Sequence, residues 1–448
     1  ILEEAGDVAN VSKPLNTLAL IAVERGQYGR AFGLQERSLE AARRSGLVSV
    51  QAVALLNLST LHARVGRLEA ALSNNEAAAA LHERIGDRGT LGGMAMDRGI
   101  ILIELGRLDE ARDAIAEGLS IAEDLGRHDQ KLSALLSLAK ISMLQDESAQ
   151  AIAYAKRAVT TARSGAHPVN VARALATLGA SHQAAGDLPA SIGALEEGLV
   201  VAQEIGALDV ECAVLKNLAR THAARGEYEP ALALSRDASV KLPRVVAGLA
   251  DEQRALAREQ WHGVQDVGVR AAFELGRVSE AVELIERSRA GALIESLGGR
   301  GTLAEAALPP TIAKEERALR AEVLAARNRL NAARAAGKRK AIRAARDELR
   351  AVEAKTLELA ERVQRVSKAA RVTIDTPPAT VPQIQASLRE NDALVSYAVT
   401  TDGEGLAIVI TPSEARFVGL GSLSAGTGSP DDDTFDMADA KALRSLLV

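Results

Sequence analysis

The chain has 448 residues, 47% of them apolar but only 2% aromatic, and a net charge of −5. That length exceeds one compact core and points to two or three units, while the modest charge says little about partners by itself. With so few aromatics, alanine and leucine must carry the packing, which favours stacked helices over a sandwich or barrel.

Cys212 is the single cysteine and has no internal disulfide partner, so a reducing, cytoplasmic compartment is the simpler reading. The longest uncharged run, Ser45 to Ala63, is interrupted by Gln51, Asn57, Thr60 and His62, which is wrong for a membrane span. The chain opens at Ile1 rather than methionine, and it is read as a piece of a longer protein.

From the start of the chain, Gly26, Gly66, Gly106, Gly186 and Gly226 fall on a forty-residue grid, with Asp146 in the remaining slot. A second set, Gly46, Gly86, Gly126, Gly165 and Gly206, lies about half a period away. Each period therefore predicts two helices with a glycine after each, placed where a helix end needs a positive φ. Eight residues before the first glycine stand Leu18, Leu58, Leu138, Leu178 and Leu218; five after it stand Ala31, Ala71, Ala111, Ala151 and Ala231, with Ser191 as the exception. Large residues on one helix thus meet small ones on the next, and neighbouring units bury a face that none could bury alone. One further unit begins at Gly276 after a ten-residue insertion, which predicts a lengthened helix through Leu249 to Val269.

This grid, over roughly Ile1 to Gly299, resembles the tetratricopeptide repeat family in a form longer than the usual ~34 residues. The resemblance implies a right-handed α-solenoid (a superhelix) of about seven helical pairs whose first helices line a groove for a peptide or protein partner. On that face the resemblance places Asn57, Asp97 and Asn217, nine before the glycine, where an asparagine can grip a peptide backbone. Thr60, Lys140 and Arg220 lie six before it, with Arg173 and Lys216 nearby. Amides and cations of this kind suit a peptide's carbonyls and acidic side chains.

Gly298, Gly299 and Gly301 end the array, and Pro309-Pro310 mark a boundary. Thr311 to Lys368 reads as two long helices folded back at Gly337-Lys338. Between Lys314 and Arg371 there are 17 basic and eight acidic residues, a net +9. The tip residues Arg334, Lys338, Arg339, Lys340 and Arg343 are candidates for docking an acidic partner. Without interleaved aromatics, nucleic acid is disfavoured. Beyond Val372 the pattern predicts a proline-punctuated linker and a short helix from Pro382 to Arg389. Strands follow at Ala393 to Thr400, Leu406 to Thr411 and Arg416 to Gly419, then a polar loop with Asp431, Asp432 and Asp433 and a helix from about Met437. The order of array, Glu286-Arg-Ser-Arg-Ala helix, basic hairpin and meander resembles the start of a CHAT domain, a caspase-like module. That resemblance gives the expected domains: 1–300 repeats, 311–371 hairpin, and 372–448 the N-terminal portion of an incomplete α/β caspase-like segment. Proteolytic members use a His and a Cys further along, whereas no His or Cys of this chain lies beyond His262.

The remaining candidates read as structure. Cys212 has no positioned base, His222 being ten residues along the same helix. His62, His182 and His222 share one slot with Ala22, Leu102 and Ser142, which fits packing within a helix pair better than a metal site. Gly298-Gly-Arg-Gly follows a helix and lacks the P-loop continuation. No catalytic residue, metal or cofactor is expected. The function expected is a scaffold or sensor that binds a protein or peptide, without a membrane role, and regulates an attached CHAT domain. The alternatives are a caspase-like cysteine protease in the longer protein, or the effector-binding repeats of a transcription regulator.

Overall fold

The computed structural model describes residues 8–24, 27–165, 167–246, 251–296, 310–336, 339–366, 379–399 and 404–422. The chain packs as two compact units, Ile1–Glu204 and Ile205–Val448. The first holds α1 (Val8–Glu24), α2 (Tyr28–Arg44), α3 (Val48–Arg64), α4 (Leu68–Arg84), α5 (Arg88–Glu104), α6 (Leu108–Asp124), α7 (His128–Leu144), α8 (Ser148–Ser164), α9 (Pro168–Ala184) and α10 (Leu188–Ile205). From α2 to α9 every helix has 17 residues, so with three-residue connections two helices fill the forty-residue period.

Glycine sets the connections. After α3, Gly66 takes φ 74°, its N–H donates to Ala63 O at 3.0 Å, and the next N–H, Arg67, donates to His62 O at 2.9 Å. This is the Schellman ending, in which a residue in the left-handed region satisfies the last carbonyls. Because Arg67 is also the N-cap of α4, the chain reverses at once. Asp146 adopts the same conformation, φ 57°, in the slot where glycine is missing. Gly165 departs from the expectation: it sits at φ −80° as the C-cap of α8, one residue before the grid position.

Inside each pair large side chains meet small ones. The expected alanines Ala31, Ala71, Ala111 and Ala151, and Ser191 with them, are fully buried, and so nearly are Leu58 and Leu138. Leu18 is not: it is 46% exposed, because no described helix packs against that side of α1. A finer fit lies at a second small slot, eleven residues into the first helix. A Cβ on Gly99 would stand 2.2 Å from Ile115 Cγ1, and one on Gly179 would stand 2.4 Å from Leu195 Cγ. Where the facing slot is small, as at Ala155 or Ser235, the first helix carries Ala139 or Ala219 instead. The result is a mainly α, tetratricopeptide-type solenoid of antiparallel helix pairs.

The second unit continues the pairs with α11 (Leu208–Ala224), α12 (Tyr228–Val246), α13 (Asp251–Glu274) and α14 (Val278–Ser296). At 24 residues α13 is the lengthened helix expected. A helical hairpin follows, α15 (Pro310–Ala335) and α16 (Arg339–Val366), closed by a seam that includes Ala326, Leu330, Ile342 and Leu349. Then come α17 (Val381–Ser387) and an antiparallel meander, β1 (Leu394–Val399), β2 (Glu404–Ile410) and β3 (Ala415–Ser422), in the order β1-β2-β3 with a bulge at Gly405/Leu406. Three strands bury too little by themselves. Here Leu406, Ile408 and Ile410 share a core with Val267, Val269 and Leu284 of α13 and α14, and Phe417 meets Phe273 edge-on at 5.3 Å. The glycine run 298–301, the Asp431–Asp433 loop and the final helix lie outside the described residues.

Candidate functional site

Within the first unit the first helices α1 and α3, α5 and α7, and α7 and α9 meet directly, whereas no two successive second helices meet to that extent among the described residues, which puts the first helices on its inner side. On each of them, positions five, nine and twelve residues from the start point away from the core, because these spacings keep to one side of a 3.6-residue helix. Thr60 on α3, Asp97 on α5, Lys140 on α7 and Arg173 on α9 are exposed there, and Asn57 on α3 is half-buried. Five of the eight expected groove residues thus share the inner side of the first unit. The other three, Lys216, Asn217 and Arg220, stand on α11 in the second unit.

The inner side holds an amide cluster in which Asn57 is joined to Asn16 and Asn16 to Gln35, two residues that the repeat pattern does not reveal. Asn57 Nδ2 donates to Asn16 Oδ1 at 2.6 Å, and Gln35 Nε2, reaching across from α2, donates to the same oxygen at 2.7 Å. Gln35 is 1% exposed, and its Oε1 is buried without a hydrogen-bond partner among the described residues. Asn16 lies one residue off the slot that Asn57 occupies, so a strict grid passes over it.

Asp97 is the acid of the three inner slots. It has no hydrogen-bond or ion-pair partner among the described residues, and partial desolvation at this still exposed side chain holds its carboxyl above the ordinary value. Ile100, three residues further along the same stripe of α5, is 42% exposed, and Val53, 39% exposed, occupies the fifth-residue slot of α3. On α11, burial and then the charge of Arg220 one turn away hold the Lys216 ammonium below its usual value.

The other singled-out residues are built into helix pairs. Cys212 is fully buried, its Sγ 4.0 Å from Ala238 O, and burial and then the Glu211 charge push its thiol up to about 12, far from the thiolate chemistry a nucleophile needs. Beside it runs a charged contact between positions 30 residues apart: Lys241 Nζ lies 3.2 Å from the buried Glu211 Oε1 and also contacts Asp237. His62 packs against Phe32 with the rings tilted 53° and their centroids 4.8 Å apart; burial, then Arg67, lowers its pKa against the pull of Glu36. Three histidines face the acid that follows the turn glycine: His222 Nδ1 to Glu227 Oε2 at 2.7 Å, His82 to Asp87 at 3.2 Å and His182 to Asp187 at 3.4 Å. The five-residue His-to-acid spacing was the available signal. Among the described residues no group of three or more His, Cys, Asp or Glu is placed to hold a metal, and no helix is long and apolar enough to cross a membrane.

At the hairpin, Lys340 and Arg343 are exposed on α16, while Arg329 of α15 bridges to Glu348 at 2.8 Å. Lys338 lies outside the described residues, and of Arg334 and Arg339 only the helical backbone is described.

No known family's sequence pattern matches the chain. The regulatory protein AfsR of Streptomyces griseus is 26% identical over 207 residues, 46% of this chain; the match spans a fifth of that relative's length. Among solved structures, BtubC from P. vanneervenii aligns with a TM-score of 0.42 at 20% identity, over 50% of this chain and 93% of that one. A signal transduction ATPase with a tetratricopeptide repeat sensor, from Pyrococcus horikoshii, aligns at 0.45 and 15% identity, over 64% of this chain and 41% of that one. A tetratricopeptide repeat protein from Parabacteroides merdae also gives 0.45 and 15%, over 64% and 97%.

Proposed function

We propose that the inner side of the first unit holds an extended peptide segment of a partner protein, and that the chain acts as an interaction scaffold or sensor. The observation that carries this reading is the polarity of the Asn16–Gln35–Asn57 cluster. Asn57 spends its N–H on Asn16 and keeps Oδ1 as an acceptor; Asn16 spends Oδ1 on two donors and keeps Nδ2 as a donor. One fixed acceptor beside one fixed donor matches the N–H and C=O that every residue of an extended backbone offers. Lys140 and Arg173 add charge selectivity further along the face; within the second unit by itself, Asn217 and Arg220 present similar groups on α11.

A photo-cross-linking residue placed at Thr60, on the inner side, and in a second variant at Glu76, exposed on α4, tests this in native lysate. The same partner cross-linked from position 60 and not from 76 is the expected result. Cross-links from 76 alone, or from neither, would overturn the reading.

Within a longer protein we propose that the array regulates a CHAT-type domain, the docking of the meander on α13 and α14 giving a packed route from helix pair to strands. Deletion of residues 1–204 that left such a domain's activity unaltered would refute the coupling. The exposed Lys340 and Arg343 suit an acidic surface on a second partner. The likeness to AfsR favours a second reading, an effector-sensing repeat region of a regulator; cross-linking of a nucleotide or other small effector in place of a peptide would select it.

A further inference from the structure

The inner side of the first unit carries an order of charge. Lys13 lies on α1, no charged residue occupies the three inner slots of α3, Asp97 lies on α5, Lys140 on α7 and Arg173 on α9. We infer, resting on the peptide-binding reading above, that the bound segment carries a basic side chain where it crosses α5 and acidic side chains where it crosses α7 and α9.

Three features support the basic residue at Asp97. The same slot holds Thr17, Asn57, Ser137 and Thr177 in the other first helices of this unit, so a charge there is a local departure from the repeat. Its carboxylate has no cation among the described residues to neutralise it. Ile100, three residues along the same stripe of α5, is aliphatic and exposed, which suits the methylene stem of a lysine or arginine whose head reaches a carboxylate. A partly desolvated acid is a poor contributor to folding and a good recogniser of a cation that completes it.

The spacing follows from the fold. Packed helices stand about 10 Å apart, and an extended chain advances about 3.3 Å per residue. Neighbouring first helices therefore read residues about three apart where their slots are nearly level, as for Asp97 in slot nine and Lys140 in slot twelve; the recognised pattern there is basic-x-x-acidic, in one chain direction or the other, and the acid that meets Arg173, in slot five, lies further along.

Selection of displayed random 12-residue peptides on the full chain tests this, with binding of the selected peptides measured on Asp97→Asn, Asp97→Lys and Asn57→Ala. Peptides selected by the native protein should be enriched in Lys or Arg with an acid about three positions away. They should bind Asp97→Lys at least tenfold more weakly, and reselection on that variant should replace the basic residue with an acidic one. Peptides that need Asn57 but bind Asp97→Lys as tightly as the native protein would overturn the charge order and leave peptide binding intact. Peptides indifferent to Asn57 as well, or no enrichment at all, would remove both. Unchanged helical circular dichroism in each variant separates these outcomes from misfolding.

Discussion

The seams inside the helix pairs and the inner faces of the same first helices obey opposite rules. A seam slot repeats, or changes only with compensation: glycine stands at 99 and 179 where Ile115 and Leu195 fill the space, and alanine returns at 139 where Ala155 leaves room. An inner-face slot changes chemistry from pair to pair, from Asn57 to Asp97 to Ser137, with no change in the backbone that carries it. Packing tolerates little because interiors are dense. A solvent-facing stripe tolerates nearly anything, so its variation is available for recognition.

The seam of α11 and α12 breaks the apolar rule and offers the largest expected effect. Lys241→Met would remove the ammonium 3.2 Å from the buried Glu211 carboxylate and should cost roughly 3 kcal/mol, read as a lower denaturation midpoint and largely recovered by adding Glu211→Leu. The same contact gives a pH signature. Burial alone would pull the Lys241 ammonium down, but its bond to Asp237 and the charge of Glu211 outweigh that and raise its pKa above the ordinary value. A raised lysine stabilises fully below its unfolded pKa and loses that contribution as pH climbs through the folded one. Native protein should thus lose stability above about pH 10, and the double variant should lose less.

Next in size is the compensation itself. Gly99→Ala should cost about 1–3 kcal/mol, since Ile115 is fully buried and cannot yield freely. Gly99→Ala with Ile115→Ala recreates the Ala139–Ala155 pair, so the double variant should be more stable than the sum of the two single losses, by a double-mutant cycle. Additive losses would mean the slots do not compensate. A smaller gain is expected at the turn where aspartate occupies a left-handed position: Asp146→Gly should stabilise by under about 1 kcal/mol. Smallest is Asp97→Asn. The carboxylate is more solvated unfolded than folded, so its ionisation favours the unfolded chain; the variant should melt slightly higher at neutral pH and match the native protein in acid, where both are uncharged.

Much of the helical array was legible because each unit restates the same physical problem. Glycine after a helix, leucine on one face and alanine opposite it recur until chance is excluded. Leu18 shows where periodicity misleads: its slot is right, but burial depends on a neighbour. Gly165 shows that a one-residue offset moves a glycine from the left-handed turn into the helix cap. The Glu211–Lys241 contact was illegible because it joins positions 30 residues apart across a pair, and nothing local couples them. Asn16 escaped for a related reason, lying one residue away from the repeating slot it serves. The strands could be read as short apolar, β-branched runs on either side of the Asp402-Gly403 turn, whereas their docking on α13 and α14 is a long-range match that no local pattern carries.

Hydrogen–deuterium exchange on the full chain, with and without a peptide that binds it, tests the central claim most directly. Added protection is expected in α3, α5 and α7, concentrated on the peptides containing Asn57, Asp97 and Lys140, and none in the hairpin of 310–366. Protection confined to that hairpin, or to the second helices α4, α6 and α8, would contradict it.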